Sequence, residues 1–529
     1  MAYYDIIIKN GSVIDGSGRK AEKMDIAVAG EEIKKIGDLK GDDAIRIIDA
    51  EGMFVCPGFI DLTNHSDTHW TLFTDPLQES LVRQGVTTIV GGSCGSSIAP
   101  LVGKKGLKSI GKWVDVSKTN VNWQTMDELF YELEKIRLGI NFASMVGLQT
   151  LFDSTEGDFE QMKFLLEKSF KEGAFGLSAH LGSARMNSLN DDNLIELLKI
   201  VTKNKGVSKH HLEDEGKNIL PAISRLIQLS RKSGARLHIS HFKVLGRGSW
   251  PLLGDALKMM RVARKKAIFG GIELTLDFFP YERTGSDLFM LLPAWLRRMD
   301  KKEIMAILKS KEDKKREEVI EHLKSLTLHY DKITVASSSY EQENLGKTIA
   351  ELSLSTELPA EEVILDLLAI NDLHVSMFSE VILMDNVREL AKEEYAAIAS
   401  DGVGYDSGSY KSQVLTSRRD LPHPRSFGAF PKALKMFAAE NEKPAWEETI
   451  RKMTGLPAEI MGIKDRGIIA KKNKADIVVF DPENISDMAT YSNPFQFSKG
   501  IKHVIVNGQL ILSENKLAEK FAGQVIKKE

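Results

Sequence analysis

The stretch Val207–His241, VSKHHLEDEGKNILPAISRLIQLSRKSGARLHISH, carries the pattern that decides the fold. Two short strand-like runs, Val207–His211 and Arg236–His241, flank the helix-length segment Ile219–Lys232. Alternation of strands and helices is typical of a parallel sheet. Because each run ends in a histidine, we expect an imidazole at the carboxyl end of each of these strands.

The same alternation extends through the middle of the chain. Eight strands are predicted, over Phe59–Thr63, Val86–Gly91, Asn141–Val146, Ala174–Ala179, Val207–His211, Arg236–His241, Glu273–Phe278 and Tyr395–Ser400. Helix-length segments such as Asp191–Lys203 separate them. This pattern predicts an α/β fold, a (β/α)8 barrel of the TIM type, in which catalytic residues collect at the carboxyl ends of the strands.

Three residues at such strand ends are candidate metal ligands. Cys94 follows the second predicted strand, and His211 and His241 end the fifth and sixth. A thiolate and imidazoles are zinc ligands, and three protein ligands with an open fourth position define a catalytic zinc site. We therefore predict that Cys94, His211 and His241 hold one tightly bound zinc ion.

Two further candidates follow the first and last predicted strands. Asp401, after the eighth strand, could take a proton from a water molecule activated by the metal and later pass it to a leaving amine. His65, after the first strand, is a candidate for an additional metal ligand. A single histidine or an Asp-Gly pair is more often structural, so both predictions depend on the shared position at the strand ends.

Both ends of the chain predict antiparallel strands. The pairs Asn10-Gly11 and Asn507-Gly508 each separate two apolar runs, and Asn-Gly in this setting is a strong hairpin signal. We predict that residues 1–56 and 459–529 combine into a small all-β domain. Residues 57–458 would form the barrel domain.

The seventh and eighth predicted strands lie far apart in the chain. The segment of about residues 283–354 between them contains the charged runs Lys301–Glu303 and Lys311–Glu318. Mixed charge on helix-forming residues is typical of a solvated helical face. We predict a helical insertion here, which on the catalytic side of the barrel could also act as a lid.

The composition limits the class of protein. A chain of 529 residues exceeds the roughly 250–300 at which a single core stops growing, so more than one domain is expected. The net charge of −3 gives no electrostatic argument for a nucleic-acid or membrane partner.

Neither a secretory signal nor a membrane span is expected. Because Cys56 and Cys94 do not make a disulfide framework, we predict a cytoplasmic protein, and the sequence leaves its oligomeric state open.

Longer motifs give the chain a family resemblance. It resembles the amidohydrolase superfamily and, within it, the D-aminoacylases (N-acyl-D-amino-acid deacylases). The motifs that carry the resemblance occur in the family's order over nearly the whole chain, at Pro57–Asp61, Gly91–Leu101, Ile239–Lys243, Asp277–Tyr281, Ser400–Gly402, His423–Pro431, Ile450–Thr454, Lys464–Gly467 and Ala475–Asp476.

The resemblance implies a barrel flanked by a β-sandwich built from both termini. It implies a zinc-dependent hydrolase of a linear amide, most simply an N-acyl-D-amino acid, with Asp401 as acid and base. It also implies that Lys243, Tyr281 and Arg425 grip the carboxylate of this small-molecule substrate. An arginine fork suits a carboxylate physically.

The chain departs from the family pattern at several positions. Family members usually carry His-x-His after the first strand, whereas this chain has Thr63-Asn64-His65, so a second metal position lacks one imidazole. His180 and Glu213 stand where relatives usually have glycine and arginine. Two alternatives stay open. One is a cyclic-amide hydrolase of the hydantoinase or dihydroorotase kind, and the other is a non-catalytic member that only binds a ligand.

Overall fold

The computed structural model describes residues 3–529 except for 112, 115, 183–187, 266–270, 327, 339–341, 409–419, 440–444 and 519. At its centre lie eight parallel strands, numbered barrel strands 1 to 8 in chain order. Their bounds are Phe59–Asp61, Val86–Gly91, Asn141–Ser144 with its continuation Val146–Gly147, Gly176–His180, Val207–His211, Arg236–Ile239, Leu274–Phe278 and Ala396–Ile398. All eight predicted strands are present, and only their ends differ from the prediction.

The barrel strands form a closed ring. Neighbouring strands pair in parallel in chain order from strand 1 to strand 8. A parallel bridge between Asn64 and Gly402 then connects the ends of strands 1 and 8. There the backbone N–H of His65 donates to the carbonyl of Gly402 at 2.9 Å. The predicted α/β barrel is therefore confirmed.

Helices cover the outside of the ring. Two of them begin at capping boxes, Thr125 with Glu128 and Asn190 with Asn193, in which each side chain accepts from the other residue's backbone N–H. The helices that follow the barrel strands are Thr71–Thr74, Glu79–Val82, Met126–Ile136, Leu148–Thr155, Phe159–Lys171, Asp191–Lys203, Ile219–Ser233, Leu253–Lys265, Met384–Lys392, Arg425–Ala433, Trp446–Arg451 and Gly455–Met461. Short 3₁₀ turns lie at Lys105–Ser109, Val116–Lys118 and Trp250–Leu252, and a π-helical turn at Leu434–Ala439.

Strands from both termini build two further sheets. The first sheet has the order Glu32–Gly37, Asp25–Ala29, Tyr3–Lys9, Asp43–Asp49. The second has the order Lys516–Leu517, Gln509–Ser513, Ile501–Val506, Ile477–Phe480, Phe54–Pro57, Ser12–Val13, Glu22–Lys23. Apolar side chains from both sheets, including Ile8, Val28, Val55 and Ile505, form one shared core. The exact domain boundaries given above stay a prediction.

The two Asn-Gly pairs behave differently. Asn507-Gly508 closes a hairpin, since Val506 pairs with Gln509 in antiparallel strands. The hairpin prediction at Asn10-Gly11 is wrong, because the strands on either side of it belong to different sheets. Gly11 lies so close to Val55 that a Cβ would overlap that side chain. The turn therefore passes the chain from one sheet to the other.

The insertion between barrel strands 7 and 8 contains a sheet as well as helices. Its antiparallel strands Arg283–Asp287, Val375–Glu380 and Ile333–Ser338 lie in that spatial order. Its helices are Ala294–Arg297, Lys301–Lys309, Lys314–Ser325, Ile349–Thr356 and Ala360–Ile370, with 3₁₀ turns at Leu288–Leu291, Tyr330–Lys332 and Gln342–Asn344. The unit has a core of its own and extends to Glu380, beyond the predicted limit. A lid function stays a prediction.

In the part of the chain that the structure describes, no helix is both long enough and apolar enough to cross a membrane.

Candidate metal centre and active site

Cys94, His211 and His241 converge at the carboxyl end of the barrel. One ligand atom from each lies within 4.8 Å of the others. Nε2 of His241 is 3.2 Å from Cys94 Sγ, and the rings of His211 and His241 are 4.4 Å apart. One soft sulfur and two imidazoles at these separations match the donors that zinc prefers.

The backbone around these side chains lies in an uncommon conformation. Cys94, His241 and Asp401 have φ angles of 52°, 36° and 50°, in the left-handed region that residues other than glycine seldom occupy. Asp277 of barrel strand 7 supports one of these turns, because its Oδ1 accepts from the N–H of His241 at 2.6 Å. Strain of this kind clusters at functional sites.

Asp401 is held between two cationic groups. Nε2 of His65 donates to its Oδ1 at 3.0 Å, and Nη1 of Arg425 forms an ion pair with its Oδ2 at 2.8 Å. Burial alone would raise the pKa of Asp401, but Arg425 and the nearby imidazoles hold it well below its usual range. Asp401 is therefore an ionised carboxylate beside the three-residue group.

His65 lies against this carboxylate and also interacts with the thiol of Cys94, but among the described residues it is outside the group whose ligand atoms lie within 4.8 Å of one another. Within the described part of the chain, its Nδ1 is buried and has no hydrogen-bond partner. The rings of His69 and Trp113 pack 6.2 and 6.0 Å from the ring of His65. Its role as an additional metal ligand stays a prediction.

The thiol of Cys94 is prepared for metal binding. Burial raises its pKa, but His241 and His65 outweigh this effect and bring the pKa down to about 6. The thiolate is the form that binds a metal. The donor set of one thiol and two imidazoles therefore fits a zinc ion.

Sequence reasoning missed Glu215, which supports one of the candidate ligands. Its Oε1 lies 3.3 Å from Nδ1 of His241 and accepts a hydrogen bond from Lys243 Nζ at 2.6 Å. Carboxylates of this kind orient metal-binding imidazoles. No local pattern distinguishes Glu215 from its neighbours, because Glu213, Asp214 and Glu215 are three consecutive acids.

A second missed group is the polar layer beneath the candidate ligands. Oδ2 of Asp277 accepts from the Thr63 hydroxyl at 2.6 Å and lies 2.8 Å from Nε2 of His238. Burial opposes ionisation, but His238 and Lys209 lower the pKa of Asp277 to about 2. Lys209 Nζ donates to the carbonyl of Leu62 and to the hydroxyl of Ser93 at 3.1 Å. Two buried charged side chains, Asp277 and Lys209, therefore lie next to the site.

The predicted substrate-binding residues are brought to different places. Lys243 lies beside His241 and Glu215, and Arg425 lies on Asp401. Tyr281 is fully buried, and its hydroxyl lies beside Gly428, without a hydrogen-bond partner among the described residues. The ring of His180, at the end of barrel strand 4, is 4.1 Å from the ring of His211.

Comparisons with known proteins agree with this architecture. A model of the Amidohydrolase family matches residues 375–511. N-acyl-D-aspartate deacylase from Alcaligenes xylosoxydans xylosoxydans is 28% identical over 99% of this chain and 95% of its own length. N-acyl-D-glutamate deacylase from the same organism is 28% identical over 95% of this chain and 93% of its own length.

A solved structure has the same fold. It is the N-acyl-D-glutamate deacylase from Bordetella bronchiseptica, in complex with zinc and a phosphonate inhibitor. It aligns with a TM-score of 0.81 at 24% identity and covers 99% of this chain and 100% of that chain. The predicted resemblance to the D-aminoacylases is confirmed, and the similar proteins are hydrolases that act on carbon–nitrogen bonds other than peptide bonds.

Proposed function

We propose that this chain, which resembles the D-aminoacylases of the amidohydrolase superfamily over its whole length, is a zinc-dependent hydrolase of N-acyl-D-amino acids. The observation that carries the proposal is the convergence of Cys94, His211 and His241 within 4.8 Å at the barrel's carboxyl end. The ionised carboxylate of Asp401 lies beside them. The names of the similar deacylases support the D-configuration of the substrate.

Cys94, His211 and His241 would hold the zinc ion. When bound, zinc polarises the amide carbonyl and lowers the pKa of a coordinated water molecule towards about 7. The number of ions is proposed to be one. Glu215 and Lys243, which contact Nδ1 of His241, would fix the orientation of that imidazole.

Asp401 would act as the base and then as the acid. Its carboxylate takes the proton of the attacking water and delivers it to the nitrogen of the leaving amino acid. His65 donates to Oδ1 of Asp401 and Arg425 forms an ion pair with Oδ2, so lone pairs of the carboxylate remain to accept that proton.

The substrate's carboxylate would bind to Arg425 and Lys243, and Tyr281 is proposed to assist this binding. Arg425 has five N–H donors in a planar fork, so it can hold Asp401 and a substrate carboxylate together. Lys243 already pairs with Glu215, and its three donors leave room for a second acceptor.

The reduced thiols of Cys56 and Cys94 support a cytoplasmic location.

The geometry supports a linear amide over a cyclic one. Cyclic-amide hydrolases of this superfamily commonly use a carboxylated lysine between two metals. Here the candidate ligand group contains the thiol of Cys94, and the Nζ of the buried Lys209 donates to the Leu62 carbonyl and the Ser93 hydroxyl. A binding-only role is disfavoured because it would not need the ionised Asp401 beside the ligands.

The test begins with the metal content of protein purified without added metal. We expect about one zinc per chain and turnover of N-acetyl-D-amino acids with little turnover of the L-forms, hydantoin or dihydroorotate. If the protein holds one zinc per chain but turns over only cyclic amides, its substrate is a cyclic amide instead of an N-acyl-D-amino acid. Protein that binds no zinc even after reconstitution would overturn the proposal.

A further inference from the structure

His423 lies where three parts of the molecule meet. It is buried, with 6% of its surface exposed. The ring of Tyr281, which follows barrel strand 7, packs edge-on at 5.2 Å. Phe378 of the insertion and Tyr491 of the carboxyl-terminal segment pack edge-on at the same distance. Three aromatic rings from different parts of the chain therefore pack against the imidazole.

Both ring nitrogens of His423 have a backbone partner. Nδ1 accepts from the N–H of Arg425 at 3.1 Å, which satisfies a donor at the start of helix Arg425–Ala433. Nε2 lies 3.0 Å from the carbonyl oxygen of Arg283, the first residue of the insertion sheet. Since an N–H only donates and a carbonyl only accepts, the neutral ring with its proton on Nε2 satisfies both partners.

The side chain of Arg425 continues this connection into the site. Its guanidinium stacks 4.9 Å from the ring of Phe279 and pairs with Asp401 at 2.8 Å. The insertion, His423, Arg425 and Asp401 are thus joined by two hydrogen bonds and one ion pair. A shift of the imidazole would move the base of the Arg425 side chain with it.

We propose that His423 is a positioning residue for the reaction proposed above. It ties the first strand of the insertion to the start of helix Arg425–Ala433 and so fixes Arg425 against Asp401. The inference rests on the proposed hydrolase function but makes a separate claim, namely that His423 acts through Arg425. In this role His423 would act without contacting the substrate.

Three variants separate the two hydrogen bonds. His423→Asn retains an acceptor near the position of Nδ1, and His423→Gln retains a donor near the position of Nε2. His423→Phe keeps an aromatic ring at this position but loses both hydrogen bonds. A displacement of about 1 Å can reduce catalysis roughly 100-fold, so we expect kcat/KM to fall about 10- to 100-fold for His423→Phe and less for the other two.

A double-mutant cycle with Arg425→Gln distinguishes positioning from general structural support. If His423 acts through Arg425, the His423→Phe effect shrinks to less than about twofold in the Arg425→Gln background. The zinc content stays at the level of the unmodified chain. An undiminished effect in that background, or a His423→Phe variant with unchanged kcat/KM, would overturn the proposal.

His503→Phe is the matched control. His503 is also buried but belongs to the terminal sheets, so its replacement should leave kcat/KM unchanged. Loss of activity in this control as well would mean that any buried histidine is needed for folding, and the inference would be withdrawn. An unmodified chain that turns over no amide would instead refute the proposed function.

Discussion

Two polar clusters, each largely buried, lie at opposite ends of the barrel. The mouth cluster consists of Cys94, His211, His241, His65 and Asp401, at the carboxyl ends of the strands. The base cluster consists of Arg466, Asp476, Asn141, Asn507 and Gln524, between the barrel and the terminal sheets.

The clusters differ in how their polar groups are satisfied. In the base cluster, the Asp476 carboxylate accepts from Arg466, from the N–H of Asn507 at 2.7 Å and from Asn141 at 3.0 Å. In the mouth cluster, imidazoles and a thiol face one another, and Nδ1 of His65 has no partner within the described residues. Both oxygens of the Asp476 carboxylate in the base cluster thus have protein donors, whereas the mouth cluster brings together side-chain atoms that can bind a metal. We infer that the base serves stability and the mouth serves chemistry.

The largest effect is expected in the mouth cluster. Asp401→Asn should lower kcat by up to about 10⁴-fold, because the amide cannot take the proton of the attacking water. Steady-state kinetics measure the loss, and elemental analysis should give the same zinc content as before. Activity close to the original level would mean that another group is the base.

Asp476→Ala tests the base cluster. It should destabilise the fold by about 3–5 kcal/mol, because a buried Arg466 loses its counter-charge. Urea unfolding followed by circular dichroism measures this change. At urea concentrations that leave the variant folded, its kcat should equal that of the unmodified chain. A large fall in kcat of the folded variant would break the division of roles between the two clusters.

Glu215→Gln should produce an intermediate effect at the mouth. A loss of about 10- to 100-fold in zinc affinity is expected, because the carboxylate that faces Nδ1 of His241 is neutralised. Competition with a chelator of known affinity measures it. Unaltered affinity would show that Lys243 alone suffices to orient this imidazole.

The smallest effect is expected for Asp127→Asn. Asp127 pairs with Lys527 at 2.6 Å, but both side chains are about half exposed or more. Removing this charge should cost less than about 1 kcal/mol in the same urea experiment. It is therefore the matched surface control for Asp476→Ala, and an equal loss in both variants would contradict the role of burial.

Much of the barrel could be predicted because each strand is a short strand-like run of residues and a segment long enough for a helix separates it from the next strand. The residues at the strand ends could be predicted for the same reason, since Cys94, His211 and His241 converge once the ring closes. Periodicity does not reveal contacts between distant segments. This is why the contacts made by Glu215, Asp277 and His423 were not predicted.

The two Asn-Gly pairs show the limit of local signals. At Asn507-Gly508 the turn and the pairing of its flanking strands agree. At Asn10-Gly11 packing against Val55 sends the next strand into the other sheet. Likewise, the insertion strand Arg283–Asp287 is largely polar, so no apolar alternation marked it as a strand. Tertiary packing decided both cases.

The bridge between Asn64 and Gly402 has a consequence for the synthesis of the protein. His65 and Asp401, which it brings together, are separated by 336 positions in the chain. A ribosome would therefore release the first strand of the ring long before the residue that completes the pair. Contacts between such distant segments form slowly. Enzyme activity would then report completion of the whole ring, and truncated translation products ending before Asp401 would be inert.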